Sequence, residues 1–172
     1  MSLIFRLLSL LVSLLWRPGL GMGEPSVIKF LVWPLDIDIN LHLTNSRYLA
    51  LMDLGRTDHI LRSGLWRVMR RDHLGVVLGG AAMRFRRSLR PFERFSLTTR
   101  LLGWDERWVY IEQVFTGSGG MACTAVLRSA FVRHGKVVPP DNVLRTAGMV
   151  KTPPDLPDWV EKWAEVETAF VG

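Results

Sequence analysis

The sequence predicts an α+β fold, a long central helix wrapped by an antiparallel sheet with helical extensions at both ends. Two observations carry this. Residues 45–62 read as one helix that is apolar around most of its circumference, the mark of a buried helix rather than a surface one. From residue 75 to residue 133 the chain reads as strands separated by turn residues.

The elements follow in order. Residues 2–16 are leucine-rich, but they lack a small-residue cleavage site and carry only Arg6 near the start. As a helix they would reach about 22 Å, short of about 30 Å of bilayer hydrocarbon. Ser2, Arg6, Ser9, Ser13 and Arg17 form one narrow polar stripe, and leucines fill the rest. Such a helix suits a membrane interface, basic residues toward the headgroups. Docking on its own domain or on a dimer partner is the second reading, and a span or an uncleaved signal stays open. Ser26 to Trp33 is the first strand, ended by Pro34. Thr44 or Asn45 can cap the helix of residues 45–62. Leu65 to His73 is a basic, amphipathic connector. Gly75 to Leu89 is a strand in which Gly79-Gly80 marks a bulge or a close backbone approach. Strands then run from Phe95 to Leu101, from Trp108 to Thr116 and from Met121 to Arg133. The connections are Pro91-Phe92, Trp104 to Arg107, Gly117 to Gly120 and His134-Gly135. Pro139-Pro140 and Pro153-Pro154 bound a tail of little periodicity. Asp158 to Glu161 opens a last helix with Trp159, Trp163, Val166 and Phe170 at helical spacing, placed to dock on the same chain or its dimer mate. The division is residues 1–22, 23–138 and 139–172.

Composition sets limits. One domain with extensions fits 172 residues. Cys123 is the only cysteine, so no internal disulfide forms, and its apolar surroundings read as a buried, inert thiol. No paired Cys/His spacing offers structural zinc, and Asp36 and Asp38 with His42 lack a further clustered ligand. Neither a metal nor a cofactor is called for. The net charge of +6 attracts phosphates. The basic patch lacks a recognition motif or interleaved stacking aromatics, so no nucleic-acid partner is expected.

The densest polar stretch runs from Asp36 to Tyr48, between strand and helix, where polar groups must pair with one another or do chemistry. Asp38 is the first catalytic candidate. A carboxylate at the mouth of a buried helix is partly desolvated and so a better base, and the free N–H groups of the first helical turn can hold an oxyanion. The other reading is that Asp38 accepts backbone N–H groups and orders the loop. His42 is a proton shuttle or a loop organiser. Asn45 orients a substrate, bonds the loop or caps the helix. Asp53 and Arg56, three apart, can face each other. Arg84, Arg86, Arg87, Arg90 and Arg94 form the one dense basic patch, able to hold phosphates or to serve as a solvated edge.

Asp38, Leu41-His42, Thr44-Asn45, Tyr48, Asp53 and Arg56 resemble the motif of the hotdog-fold acyl-CoA thioesterases of the 4-hydroxybenzoyl-CoA thioesterase branch. Leu41 and Thr44 stand where that motif has Gly and Asn. The look of Leu-x-His-x-x-Asn-x-Arg-Tyr-Leu, of Arg86 to Leu89 and of Arg100 to Asp105 is similar to the subgroup called thioesterase superfamily member 6-like. The resemblance covers roughly residues 27–135. It implies a hotdog fold, an acyl-CoA substrate and a homo-oligomer, dimer or tetramer, with its site between subunits. It further implies Asp38, His42 and Asn45 in catalysis, Tyr48, Asp53 and Arg56 behind them, and Arg84, Arg86 and Arg87 toward CoA. A cytoplasmic protein, peripheral at a membrane where the N-terminal helix anchors, follows. The alternative is a non-catalytic acyl- or lipid-binding hotdog protein at a membrane surface.

Overall fold

A computed structural model describes residues 3–21, 23–148 and 155–171. Ser2 and the Pro153-Pro154 boundary lie outside them, as does the side chain of Phe170. The elements are α1 (Leu3–Ser13), β1 (Ser26–Leu31), α2 (Asn45–Arg62), α3 (Leu65–Arg71), β2 (Gly75–Phe85), β3 (Arg94–Trp104), β4 (Val109–Gly117), β5 (Gly120–Arg133), β6 (Lys136–Val138), α4 (Pro140–Thr146) and α5 (Asp158–Val171). The sheet runs β1-β3-β4-β5-β2, all neighbours antiparallel, with β6 paired to β5.

Strand alternation decides what each face holds. Leu97 of β3, Phe115 of β4 and Cys123, Ala125 and Leu127 of β5 point at α2, where they meet Tyr48, Leu51, Met52 and Leu54 in the main core. The intervening residues Tyr110 and Val126 face the other way, and α5 covers them with Val160 and Trp163. A third cluster joins α3 and α4 to Trp104, Val109 and Phe131.

Two glycines allow close approaches. A side-chain carbon at Gly55, in mid-α2, would lie 2.6 Å from both Gln113 Nε2 and Thr99 Oγ1. Gln113 is fully buried and donates to Met52 O at 3.0 Å and Thr99 Oγ1 at 2.9 Å, so a polar plug fixes helix to sheet where Gly55 leaves room. At Gly79 an added carbon would overlap the Trp108 ring, and the β2–β5 register shifts between Leu78 and Gly80. The Gly79-Gly80 pair is therefore both a bulge and a close approach.

Several expectations change. The connector after α2 is helix α3. The tail expected to lack periodicity contains α4, begun by Pro140 at a position where a missing N–H is harmless. His134 (φ 50°) and Gly135 (φ 77°) make the expected turn, and it leads into a short further strand, β6. Helix α2 is not buried all round: Leu49 and Asp53 on one side are exposed.

The largest correction concerns α1. The two arginines of its polar stripe face the protein, not a headgroup layer. Arg6 is buried, paired with the buried Asp36, and donates to Leu31 O at 3.0 Å. Just beyond the helix Arg17 reaches the buried Asp58 at 2.6 Å and donates to Val27 O at 2.7 Å. Both arginines thus satisfy carbonyls on the open edge of β1, an edge that would otherwise invite pairing with another chain. Leu10, with Leu3 and Leu7, joins the main core from this side.

Candidate functional site

Between β1 and α2 the chain makes one 3-10 turn (Pro34–Asp36) and then a tight loop closed by an isolated bridge between Ile37 and Leu43. Inside the loop Asp38 N–H donates to His42 O at 3.0 Å, and Leu41 N–H donates to Asp38 O at 3.0 Å. Leu41 turns the chain in the left-handed region, φ 58°, where a leucine pays steric strain of about 1–2 kcal/mol and glycine would not. That reversal carries His42 back over Asp38.

The Asp38 carboxylate has two different oxygens. Oδ1 accepts the Asn40 N–H at 2.8 Å. Oδ2 lies 3.6 Å from His42 Nδ1, beyond hydrogen-bond reach. Asp38 and His42 side chains are each about one-third exposed, 30% and 33%. Exposed apolar side chains surround them: Leu35, Ile39 and Leu41 from the loop and Leu49 from α2.

Beyond this loop α2 begins without a side-chain cap. Thr44 stands at the N-cap in extended backbone, but neither its hydroxyl nor Asn45 makes the capping bond expected of them. Among the described residues the Asn45 and Ser46 amides find no acceptor, whereas Arg47 N–H bonds Thr44 O at 2.9 Å. Two donors and the positive end of the helix dipole remain open. The Asn45 side chain is exposed.

Sequence reasoning weighed Asp36, two residues before Asp38, only as a metal ligand and missed its structural role. It is 1% exposed, accepts the Trp33 N–H at 3.0 Å, holds Arg6 and has Arg47 Nε 3.6 Å away. Its main-chain oxygen accepts the Thr44 N–H at 3.0 Å. Asp36 therefore ties α1, the loop and the start of α2 together. The available signal was the basic stripe of α1, which needs buried acids if it turns inward.

The remaining candidates separate. Tyr48 is a core residue, edge-on to Phe85 and Phe115, and burial pushes its phenol up to about 12. Asp53 and Arg56 do pair; Asp53 is mostly exposed, and Arg56 donates to Gln113 Oε1 at 3.1 Å, which extends the polar plug. The pair sits about 12 Å or more along α2 from its start. Desolvation also lowers the Arg56 guanidinium below its ordinary range. Arg84 and Arg86 are exposed, while Arg87 pairs with Glu93 at 2.6 Å. Glu93 also accepts the Arg90 and Ser118 N–H groups, and the Arg87 hydrogen bond above all holds its carboxyl down to about 2. Arg87 thus joins the β2–β3 connection to the β4–β5 turn. Burial pushes the Cys123 thiol up to about 12, so it is inert. Beside His59 and Ser129 an enclosed cavity of about 40 Å³ leaves space for a water or two and none for an acyl group. Among the described residues no group of three or more acids, histidines or cysteines is placed to hold a metal ion.

Residues 32–164 match the thioesterase-like superfamily. The chain is 38% identical to Protein THEM6 of Xenopus laevis over 134 residues, 77% of this chain and 64% of that one, so it spans less than two thirds of the relative. It is similar in structure to YbaW, a probable thioesterase from Escherichia coli, with a TM-score of 0.67 and 21% identity over 73% of this chain and 98% of that one. The BH1999 gentisyl-coenzyme A thioesterase gives a TM-score of 0.62 at 16% identity, covering 70% of this chain and 99% of that one. At such identities these structures speak for the fold, and the fold is the hotdog that the sequence predicts.

Proposed function

Because this chain belongs to the thioesterase-like superfamily, we propose that it hydrolyses an acyl-CoA thioester to a carboxylic acid and free CoA. The observation that carries the reading is a partly exposed Asp38, one carboxylate oxygen facing His42, in the loop that leads into the uncapped start of α2. In the proposed step Asp38 takes a proton from water as the water oxygen attacks the thioester carbonyl. The Asn45 and Ser46 amides hold the oxyanion. The tetrahedral adduct collapses, the C–S bond breaks and the CoA thiolate takes the proton from Asp38. His42 steadies the carboxylate, and the Asn45 side chain orients the substrate. A positioned base contributes about 10²–10⁴ in rate and an oxyanion donor about 3 kcal/mol, enough for an already electrophilic thioester. Tyr48, Asp53 and Arg56 support α2 from its core and sheet sides. Arg84 and Arg86, with Arg87 less free, meet the CoA phosphates.

Residues 23–138 form the hydrolase unit. The active form is a homo-oligomer, dimer or tetramer. In support, β2 is an edge strand with Val76, Val77, Leu78 and Phe85 exposed, and the apolar rim around Asp38 lacks a cover among the described residues. On this reading the protein is cytoplasmic and peripheral at a membrane through its N-terminal segment. Free-thiol release from short, long and aromatic acyl-CoAs tests the proposal. Wild type turns over, and Asp38→Asn, folded and of unchanged oligomeric state, loses about 10²-fold or more in kcat. No turnover by folded wild type on any member of the panel would replace the hydrolase with a non-catalytic acyl-binding protein.

A further inference from the structure

With Arg6 and Leu10 turned inward, α1 presents its opposite face to solvent. Ile4, Phe5, Leu8, Leu11, Leu15 and Trp16, on α1 and the turn after it, are between 41% and 76% exposed. A ridge of six large apolar side chains on one short segment is unusual on a soluble surface. The helix is also held so that it cannot roll to hide them. Arg6 on the buried Asp36 and Arg17 on the buried Asp58 fix it at both ends, and each arginine bonds a β1 carbonyl as well. Rolling would strand two buried carboxylates.

Charge identifies the occupant. Between α1 and β1 lies an open groove of about 1050 Å³ whose lining includes Arg6, Arg17, Lys29 and Arg94 but no Asp or Glu. Arg6 and Arg17 are already paired. Lys29 and Arg94 take part in none of the ion pairs among the described residues. Two free cations on the groove that borders the helix carrying the apolar ridge, on a chain of net charge +6, match an anionic lipid surface. No helix among the described residues is long and apolar enough to cross a bilayer, so contact along the surface is the geometry available.

We propose that the outward face of α1 docks on an anionic phospholipid bilayer, Ile4, Phe5, Leu8, Leu11, Leu15 and Trp16 entering the acyl boundary and Lys29 and Arg94 meeting lipid phosphates. The helix is a rigid mount rather than a flexible tether, and its arginines serve the protein instead of the headgroups. This inference stands apart from the hydrolase reading, since no catalytic residue takes part.

Sedimentation of the full chain with vesicles tests it, using phosphatidylcholine alone and phosphatidylcholine with phosphatidylglycerol. Wild type pellets with the anionic vesicles and less with the neutral ones, and added salt weakens the difference. Leu8→Glu with Leu15→Glu, both exposed and so compatible with the fold, lowers vesicle partitioning about 100-fold, roughly tenfold per lost apolar side chain. Lys29→Glu with Arg94→Glu removes the preference for phosphatidylglycerol and leaves the weaker neutral binding. Wild type that stays in the supernatant with both vesicle types overturns the proposal. So does a Leu8→Glu/Leu15→Glu protein that pellets like wild type, or one whose only change is the loss of a dimer in light scattering, which would make the ridge a contact between copies.

Discussion

Replacing Arg6 by alanine tests the most consequential contact in the molecule. The Arg6 and Asp36 side chains are 3% and 1% exposed, so their ion pair is fully desolvated. Removing one partner of such a pair typically costs about 3–5 kcal/mol, because the remaining charge stays buried. Here Asp36 keeps the Trp33 N–H at 3.0 Å and has Arg47 Nε 3.6 Å away, which offsets part of the loss. The variant also loses the bond to Leu31 O and the stacking of the guanidinium on Phe30. The low end, about 3 kcal/mol, is the reasoned value. At about 2–4 °C per kcal/mol for a chain of this size, Tm falls by about 6–12 °C. Urea unfolding followed by tryptophan fluorescence, with calorimetry alongside, measures it. Arg6→Ala combined with Asp36→Asn recovers part of the loss, since the stranded charge is then gone. A single variant within 1 kcal/mol of wild type, or strict additivity in the double variant, refutes the argument. Should α1 instead peel away and let water reach Asp36, the loss is capped at the docking free energy of α1. Faster amide exchange confined to residues 3–13 reports that route.

Two further outcomes follow from other parts of the fold. Gly55→Ala gains about 1 kcal/mol of helix propensity but pushes a methyl group against Gln113 and Thr99, so net destabilisation of about 1–2 kcal/mol in urea is expected. Glu93 has its carboxyl held near 2 against an ordinary 4.5, so its stabilisation is complete above about pH 4.5 and fades as pH falls toward 2. Glu93→Gln should therefore be less stable than wild type by about 2 kcal/mol at pH 7, a value discounted for solvent around Arg87, and the gap should close by pH 2. Urea midpoints across that range measure both.

The main core was legible because it is written in local periodicity. Helix α2 and strands β1 to β5 follow from period 3.6 and period 2, and the Asp53–Arg56 pair from a spacing of three. What the sequence concealed depends on distant partners. Arg6 meets Asp36 across 30 positions, Arg17 meets Asp58 across 41, and Gln113 reaches Met52 across 61. An amphipathic stripe states that a helix has two faces, and only the acids it meets decide which face turns inward. Helix α4 was hidden for another reason, being too short for its periodicity to show, although Pro140 followed by Asp141 is a common opening for a helix. The candidate loop lies between these cases. Its residue types announce it, but the open helix start appears only when Thr44 is seen to make no cap.

Asp36 and Asp38 show how environment assigns opposite roles to two identical side chains. Asp36 ends the 3-10 turn and Asp38 lies two residues on in the loop, and this local geometry leaves the first side chain 1% exposed and the second 30% exposed. Asp36 turns inward, where Arg6, Arg47 and the Trp33 amide surround it and shut it off from a substrate. Asp38 turns outward and has one backbone N–H on one oxygen, while the other faces His42 with a gap. That gap depends on Leu41, whose left-handed backbone folds His42 back toward the carboxylate. A leucine at that turn loses the ease a glycine would have, yet its exposed side chain adds to the apolar rim around Asp38. The inward acid makes the loop rigid, and on the proposed mechanism that rigidity keeps the outward acid and the Asn45 and Ser46 amides at a fixed separation, as a positioned base and oxyanion donors require.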